Sequence, residues 1–440
     1  MFVASTYVKK ELFSKNEPDL IIYHANELVT MNSIFGVPRI GEEMSELAII
    51  EDGAIAIKDE MIIFVGTTDD LLSRFSLEEI AIKINASNKL VTPGFIDPHT
   101  HLLFDGTREN ELAMKLLGKS YIDILKEGGG ILSTVKETRK APLEKLVENG
   151  KKILDRMLAN GTTTVEIKSG YGLNTQSEIK LLKAVKILDK EHPIDLISTF
   201  LGAHAIPAEY ENEPNDYVNL IITEMIPKIV EENLAEFCDV FCEEGVFSSE
   251  QTKLILETAK RYGLKPFIHA DEIEDTNGAK LASEISSIQA SHLLKSNEQG
   301  LRAMAESGVV AILLPGTPFS LMLKNYAPAR RMIDLGIPIA LATDLSPNSW
   351  IESMQIIIAL ACYKMRLSPA EAFVASTINA ACAIQRQDEI GSLELGKKAD
   401  ILIFDVPNHK FLPYQFGVNL ISTVIKNGKI IISNIDPNIF

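Results

Sequence analysis

The sequence predicts an α/β fold: a (β/α)8 TIM barrel with a small β-sandwich domain built from both chain termini. Three observations carry this expectation. Short, near-continuous apolar runs recur through the middle of the chain, each followed by a stretch with helical spacing of apolar residues. Strands buried on both faces and alternating with helices imply a parallel sheet, and eight such units imply a closed barrel. The two flanks instead carry strand-like runs joined by turn signals.

In chain order the barrel strands are expected at 90–101 (LVTPGFIDPHTH), 162–170 (TTTVEIKSG), 195–206 (DLISTFLGAHAI) and 237–243 (FCDVFCE). The second half follows at 264–272 (LKPFIHADE), 287–294 (SIQASHLL), 308–316 (GVVAILLPG) and 337–345 (IPIALATDL). Helical spacing falls between them at 144–159, 177–190, 249–262, 297–306 and 352–366. In the flanks, 19–31, 47–57, 60–66, 399–406 and 419–433 read as strands, and Asn427-Gly428 is a strong hairpin signal. The expected division is 1–88 and 387–440 for the small β domain, with 89–386 as the barrel.

A formal net charge of −17, with the acidic residues scattered, repels nucleic acid and anionic membrane surfaces, so neither is an expected partner. Salt screens that field within about 8 Å, so one local cation in a pocket can still attract an anionic substrate. No run approaches the roughly 20 apolar residues of a membrane span, and no signal-peptide core is evident, so a cytoplasmic protein is expected. Cys238, Cys242, Cys362 and Cys382 are too few for a disulfide scaffold and read as structural thiols.

Five of the eight histidines (His99, His101, His204, His269 and His292) fall at ends of candidate strands, where barrel enzymes build their sites. His99 and His101 are one residue apart on an extended segment, so both imidazoles point the same way. His269 ends the fifth strand. Asp344 ends the eighth, which neighbours the first once the barrel closes. Three imidazoles and a carboxylate converging from separate strands suit one zinc or iron ion, with a position left for water.

PGFIDPHTH, two later strand-terminal histidines and a late Asp in ATD resemble the amidohydrolase superfamily. Members with a second metal commonly bridge it through a carboxylated lysine on the fourth strand. Here that strand ends Cys242-Glu243-Glu244, and Lys168 ends the second, so one metal per chain is expected. GGGILSTVKETR (128–139), TTVEIKSGYGL (163–173), TFLGAHAIP (199–207), HADE (269–272) and PARRMIDLGIPIALATD (328–344) further resemble the imidazolonepropionases within that superfamily. The resemblance implies metal-dependent hydrolysis of the cyclic amide of 4-imidazolone-5-propanoate to N-formimino-L-glutamate, in histidine degradation. It also implies a homodimer.

Under that resemblance Asp344 accepts a proton from the attacking water, and Glu272 and His292 serve as base, acid or oxyanion partner. Arg108 is the expected clamp for the propanoate, against a surface salt bridge to Glu109 or Glu111. Tyr171 and His204 add neutral hydrogen bonds. Where bacterial members continue Asp-Phe-Asn-Pro-Gly, this chain has Asp344-Leu345-Ser346-Pro347-Asn348-Ser349. Ser346, Asn348 and Ser349 are therefore expected to touch substrate with altered chemistry. Gly128-Gly129-Gly130 reads as a turn before a helix, and Arg330 and Arg331 as surface charges. Competing readings are an amidohydrolase deaminase of a nitrogen heterocycle, which would release ammonia, and an inactive amidohydrolase-like assembly protein, which would have lost ligands.

Overall fold

The computed structural model describes residues 17–32, 38–119, 123 and 129–433. The chain ends build a mixed sheet. Its first strands are β1 (Leu20–Val29), β2 (Ile49–Lys58), β3 (Met61–Thr67), β4 (Ile82–Asn85) and β5 (Leu90–Pro93). The barrel then follows as β6 (Phe95–Thr100), β7 (Thr162–Lys168), β8 (Asp195–Ala203), β9 (Phe237–Cys242), β10 (Lys265–Ala270), β11 (Gln289–His292), β12 (Val310–Leu313) and β13 (Ile339–Leu341). The chain returns to the first sheet with β14 (Ile401–Phe404), β15 (Ile421–Lys426) and β16 (Lys429–Ser433).

The terminal sheet runs β16-β15-β14-β5-β1-β2-β3, with β4 paired to β1. Its two ends approach each other, because the β2–β3 turn meets the chain beside the Asn427-Gly428 hairpin. Ala399 N donates to Glu60 O at 2.8 Å, and Gly428 N donates to Ala399 O at 3.0 Å. Leu20, Ile22, Ile55, Ile57, Val91, Ile401, Ile403 and Ile425 form one apolar layer inside that curl. The two layers of this unit are thus halves of one hydrogen-bonded sheet.

The barrel strands pair in sequence order, all in parallel. Closure of β13 onto β6 is made just past their ends, where His101 N donates to Leu345 O at 2.8 Å and Asp344 N to His99 O at 3.2 Å. The same contact brings the first and last expected metal ligands together.

One sequence expectation changes. The run 90–101 is two strands, because Leu90–Pro93 pairs with β1 and β14 whereas Phe95–Thr100 opens the barrel. Gly94 is the switch between the sheets. A Cβ there would lie 2.2 Å from Thr163 Oγ1, so only glycine lets the backbone pass so close to β7. Strand β4 and the short helices before it carry no pattern that separates them from loop in the sequence.

The expected helices form at Leu143–Ala159, Thr175–Glu191, Ser249–Arg261, Glu298–Ser307 and Met354–Met365. Their starts are written locally. Asn174 Oδ1 accepts from Ser177 N, and Ser248 with Gln251 forms a reciprocal capping box.

Strand alternation sorts the barrel side chains. Val165, Ile167, Cys238, Val240, Ile268 and Ala270 pack outward against the helices, whereas Phe237, Phe267, Val310, Ile312 and Ala340 plug the interior. Above the plug lies a buried polar layer of Asp97, Glu166, Lys168, Asp239 and Gln289. The site sits on top of that layer. All four cysteines are free, with Cys238, Cys242 and Cys382 buried.

Candidate metal centre

His99 and Asp344 meet across the barrel seam, and His101 joins them from the same strand end. His99 Nε2 and His101 Nε2 each stand 3.5 Å from Asp344 Oδ1. From the opposite wall, His269 Nε2 comes within 3.3 Å of His101 Nε2. All four residues are buried. Ligand atoms of His99, His101 and Asp344 lie within 4.8 Å of one another, as do those of His99, His269 and His292. His99 Nε2 has no hydrogen-bond partner among the described residues. Buried imidazole nitrogens that face each other without a donor between them fit a cation. Burial pushes the His99 and His101 imidazoles well below their usual range, which leaves them neutral and able to ligate.

Three of these four side chains are backed by a polar neighbour. His99 Nδ1 lies 2.9 Å from Ser291 Oγ, and Thr317 Oγ1 donates to Asp344 Oδ2. Asp239 Oδ2 stands 3.1 Å from His269 Nδ1, off the line of a hydrogen bond. Lys168 Nζ is 2.9 Å from both Asp239 Oδ2 and Glu166 Oε1. Burial works against the Lys168 charge, but the two carboxylates outweigh it and hold the ammonium above its usual range. Lys168 is thus engaged by two carboxylates beneath the site.

His292 closes the back of the site with φ at +72° and Nε2 3.6 Å from Glu272 Oε2. The Glu272 loop is anchored by Glu243, whose carboxylate accepts from the backbone N–H groups of Glu272, Ile273 and Glu274 at 2.9–3.0 Å. Burial, with Asp344 and Glu243 adding negative charge, pushes the Glu272 carboxyl up to about 8. Burial likewise drives His292 and His204 down to about 3. His204 stacks on His101, with ring centroids 4.7 Å apart, and its Nδ1 is 3.0 Å from Gly170 O. The buried Tyr171 hydroxyl is raised by burial and stays protonated.

All the expected site residues except His99 line one cavity of about 120 Å³. His99 lies just beneath it. The cavity shares Arg108 and Asn348 with an outer cleft of about 650 Å³. Arg108 does pair with Glu111, but inside the protein: Nε and Nη2 donate to the two carboxylate oxygens at 2.8 and 2.7 Å. Ser349 N donates to Ser346 Oγ, and Lys115 Nζ donates to Asn348 Oδ1 at 2.7 Å, so the altered loop is internally tied. Gly130 has φ +85° and heads the helix Ile131–Lys140, as a turn should, while Gly128 lies outside the described residues. Arg330 and Arg331 pair with Glu371 and Glu298 at the surface.

Residues 90–431 match the Amidohydrolase family. The chain belongs to that family. Among its relatives are an imidazolonepropionase of Alkaliphilus metalliredigens, 52% identical, and one of Alkaliphilus oremlandii, 53% identical. Each alignment covers 94% of this chain and 98% of the relative. An imidazolonepropionase of Geobacillus kaustophilus is 50% identical, over 94% of this chain and 98% of its own. In fold, the chain is similar to a zinc-bound adenosine deaminase of Xanthomonas campestris (TM-score 0.69, 18% identity, 96% of each chain). It is also similar to the atrazine chlorohydrolase TrzN of Arthrobacter aurescens (TM-score 0.67, 16% identity, 94% and 95% covered).

Family membership and the converging donors together make this amidohydrolase a binder of a divalent metal ion. Several of its site-building residues carry little signal in the sequence. Asp239 sits within FCDVFC and reads as part of an apolar strand, although period two places it inward between Phe237 and Phe241. Glu243 and Ser291 sit at strand ends like the histidines, but carboxylates and hydroxyls are common there and signal little alone. Thr317 comes from a one-turn helix (Gly316–Ser320) whose position depends on the tertiary fold.

Proposed function

We propose that the site opens the cyclic amide of 4-imidazolone-5-propanoate to N-formimino-L-glutamate. The observation that carries this is the convergence of His99, His101, His269 and Asp344 at the base of a cavity that also holds Arg108 and opens to the outer cleft. Relatives named imidazolonepropionase, half identical over nearly the whole chain, support the substrate. One zinc or iron ion per chain is the expected occupant, and a homodimer in the cytoplasm the expected setting. When bound, such an ion lowers the pKa of a water to around 7 and polarises a carbonyl.

The chain's own groups divide the remaining work. Asp344 turns Oδ1 toward the histidine nitrogens and is anchored through Oδ2 by Thr317, and its carboxylate accepts a proton from the attacking water. Glu272 is held by the Glu243 anchor over the same point. Its carboxyl keeps a proton at neutral pH and delivers it to the departing ring nitrogen. His292, neutral and beside Glu272, offers a hydrogen bond to the carbonyl oxygen as charge develops there. Arg108 draws the propanoate to the outer end of the cavity, with Tyr171 as a neutral donor along the ring and His204, whose Nδ1–H goes to Gly170 O, as a neutral acceptor through Nε2. Ser346, Asn348 and Ser349 form the wall opposite.

The test adds metal-analysed protein to fresh imidazolone-propionate and follows loss of the ring's ultraviolet absorbance, with the product identified by mass. A product one water heavier, absent with His269→Ala, is the expected outcome. Bound metal without turnover would overturn the substrate, and ammonia release from other nitrogen heterocycles would make the chain a deaminase.

A further inference from the structure

Beneath the metal centre runs a row of buried charges that the proposed reaction does not use. Asp239 is fully buried on β9, and its two carboxylate oxygens face different ways. Oδ1 accepts from Val240 N at 2.8 Å. Oδ2 faces inward, 3.1 Å from His269 Nδ1 and 2.9 Å from Lys168 Nζ. The contact between Asp239 Oδ2 and His269 Nδ1 is an ion-pair distance off the line of a hydrogen bond, and no acceptor hydrogen-bonds His269 Nδ1 among the described residues. Lys168 in turn holds Glu166, whose Oε2 accepts from Thr100 N at 3.3 Å and whose carbonyl accepts from Thr100 Oγ1 at 2.7 Å. Thr100 is the residue between His99 and His101. The row therefore ties the strand bearing one histidine pair to the strand bearing the third histidine.

We propose that Asp239 is a positioning residue for the metal centre: acting through His269 Nδ1, it fixes the imidazole with Nε2 toward the ion, and the Glu166–Lys168 pair holds Asp239 in place. A buried imidazole N–H needs an acceptor, and whatever satisfies one ring nitrogen decides which nitrogen is free to ligate. An anionic acceptor also makes the ligating nitrogen a stronger donor. One ammonium shared between two carboxylates leaves part of the Asp239 charge directed at His269. Ser291 braces His99 in the same position with a neutral hydroxyl, so the two histidines differ in the charge behind them.

The proposal rests on the reading of this site as a metal-dependent hydrolase, but its test does not need the substrate. Zinc affinity is measured by competition with a chelator for the wild type, Asp239→Asn, His269→Ala and the double variant, with circular dichroism as the check on folding. Asp239→Asn should hold zinc about 10- to 100-fold more weakly. In the His269→Ala background the same substitution should change affinity by less than about twofold, because the group it acts through is gone. Unaltered affinity in Asp239→Asn overturns the proposal, and so does an equal loss in both backgrounds. Should the Asn variant not fold, Asp239→Glu, which displaces the charge by one methylene, goes through the same cycle, and the same two results would support or overturn the role. Weakened zinc in Asp239→Asn, with wild type leaving imidazolone-propionate intact, would sink the substrate and keep the positioning role. Ring opening by wild type with native zinc affinity in the variant would do the reverse.

Discussion

The floor and the mouth of the barrel are built by the same strands and obey opposite rules. At the floor, Phe237 and Phe267 stack with centroids 4.3 Å apart and pack with Ile312, Val310 and Ala340 in one apolar cluster. Two residues further along the same strands come Asp239 and His269; on β13, Ala340 and Ala342 lead to Asp344. The mouth holds buried ring nitrogens that make no hydrogen bond among the described residues, at His99 Nε2, His101 Nδ1 and His292 Nδ1. Burying such groups costs free energy, so the apolar half of each strand offsets the cost of its polar half. Period two and strand length together decide which residue does which.

Exchanging one residue from each end should separate the two roles most sharply. His269→Ala should lower kcat/KM for ring opening by about a thousandfold or more, the several kcal/mol that metal activation supplies. Phe237→Ala should cost about 3–5 kcal/mol of stability, read from urea denaturation, as a large buried aromatic is removed. Its activity per folded molecule should stay near that of wild type. If Phe237→Ala instead weakened zinc binding under fully folded conditions, floor and mouth would not be separable.

Glu272 sharpens the comparison within the mouth, where burial sets the protonation of a carboxyl. Its folded pKa is raised to about 8, so the proton is present below that value and is lost as pH rises through it. For a group that must donate, activity is present on the acid side and falls toward alkaline pH. A bound cation moves that limb lower. Glu272→Gln should reduce kcat by about 10²–10⁴-fold and flatten the alkaline limb of kcat/KM. A variant that kept the limb would assign it to another group.

How much of this is legible in the sequence differs along the same line. The barrel is readable because its strands are buried on both faces and run apolar without interruption, and the candidate ligands stand out because strand-end histidines are rare. Curling of the terminal strands into one sheet is not readable. It depends on the Asp59-Glu60 and Asn427-Gly428 turns meeting in space. The change of sheet at Gly94 is hidden too, since LVTPGFIDPHTH alternates no differently on either side of that glycine. Asp239 and Lys168 stay obscure for a related reason: one charge inside an apolar strand reads as an exception until its partner on another strand is seen.

The smallest expected effect lies farthest from the metal. The sequence suggests a guanidinium free to grip a carboxylate with both arms, but Arg108 already gives Nε and Nη2 to Glu111, and only Nη1 lies outside that pair. Glu111 also accepts from Gly130 N at 2.8 Å, which fixes the Arg108–Glu111 pair against the turn that heads the next helix. The arginine is thus oriented in advance by its ion pair with Glu111, and under the proposed reading the propanoate would meet a single directed donor, Nη1. Arg108→Lys keeps the charge and loses the parallel pair, so the ammonium should wander. KM should rise about tenfold while kcat changes little, because an anchor remote from the reacting carbonyl binds ground and transition states alike. Glu111→Gln should move KM the same way by a smaller factor, since it loosens the arginine without replacing it. A fall in kcat with unchanged KM in either variant would place Arg108 at the reacting centre rather than at the anion's end of the cavity.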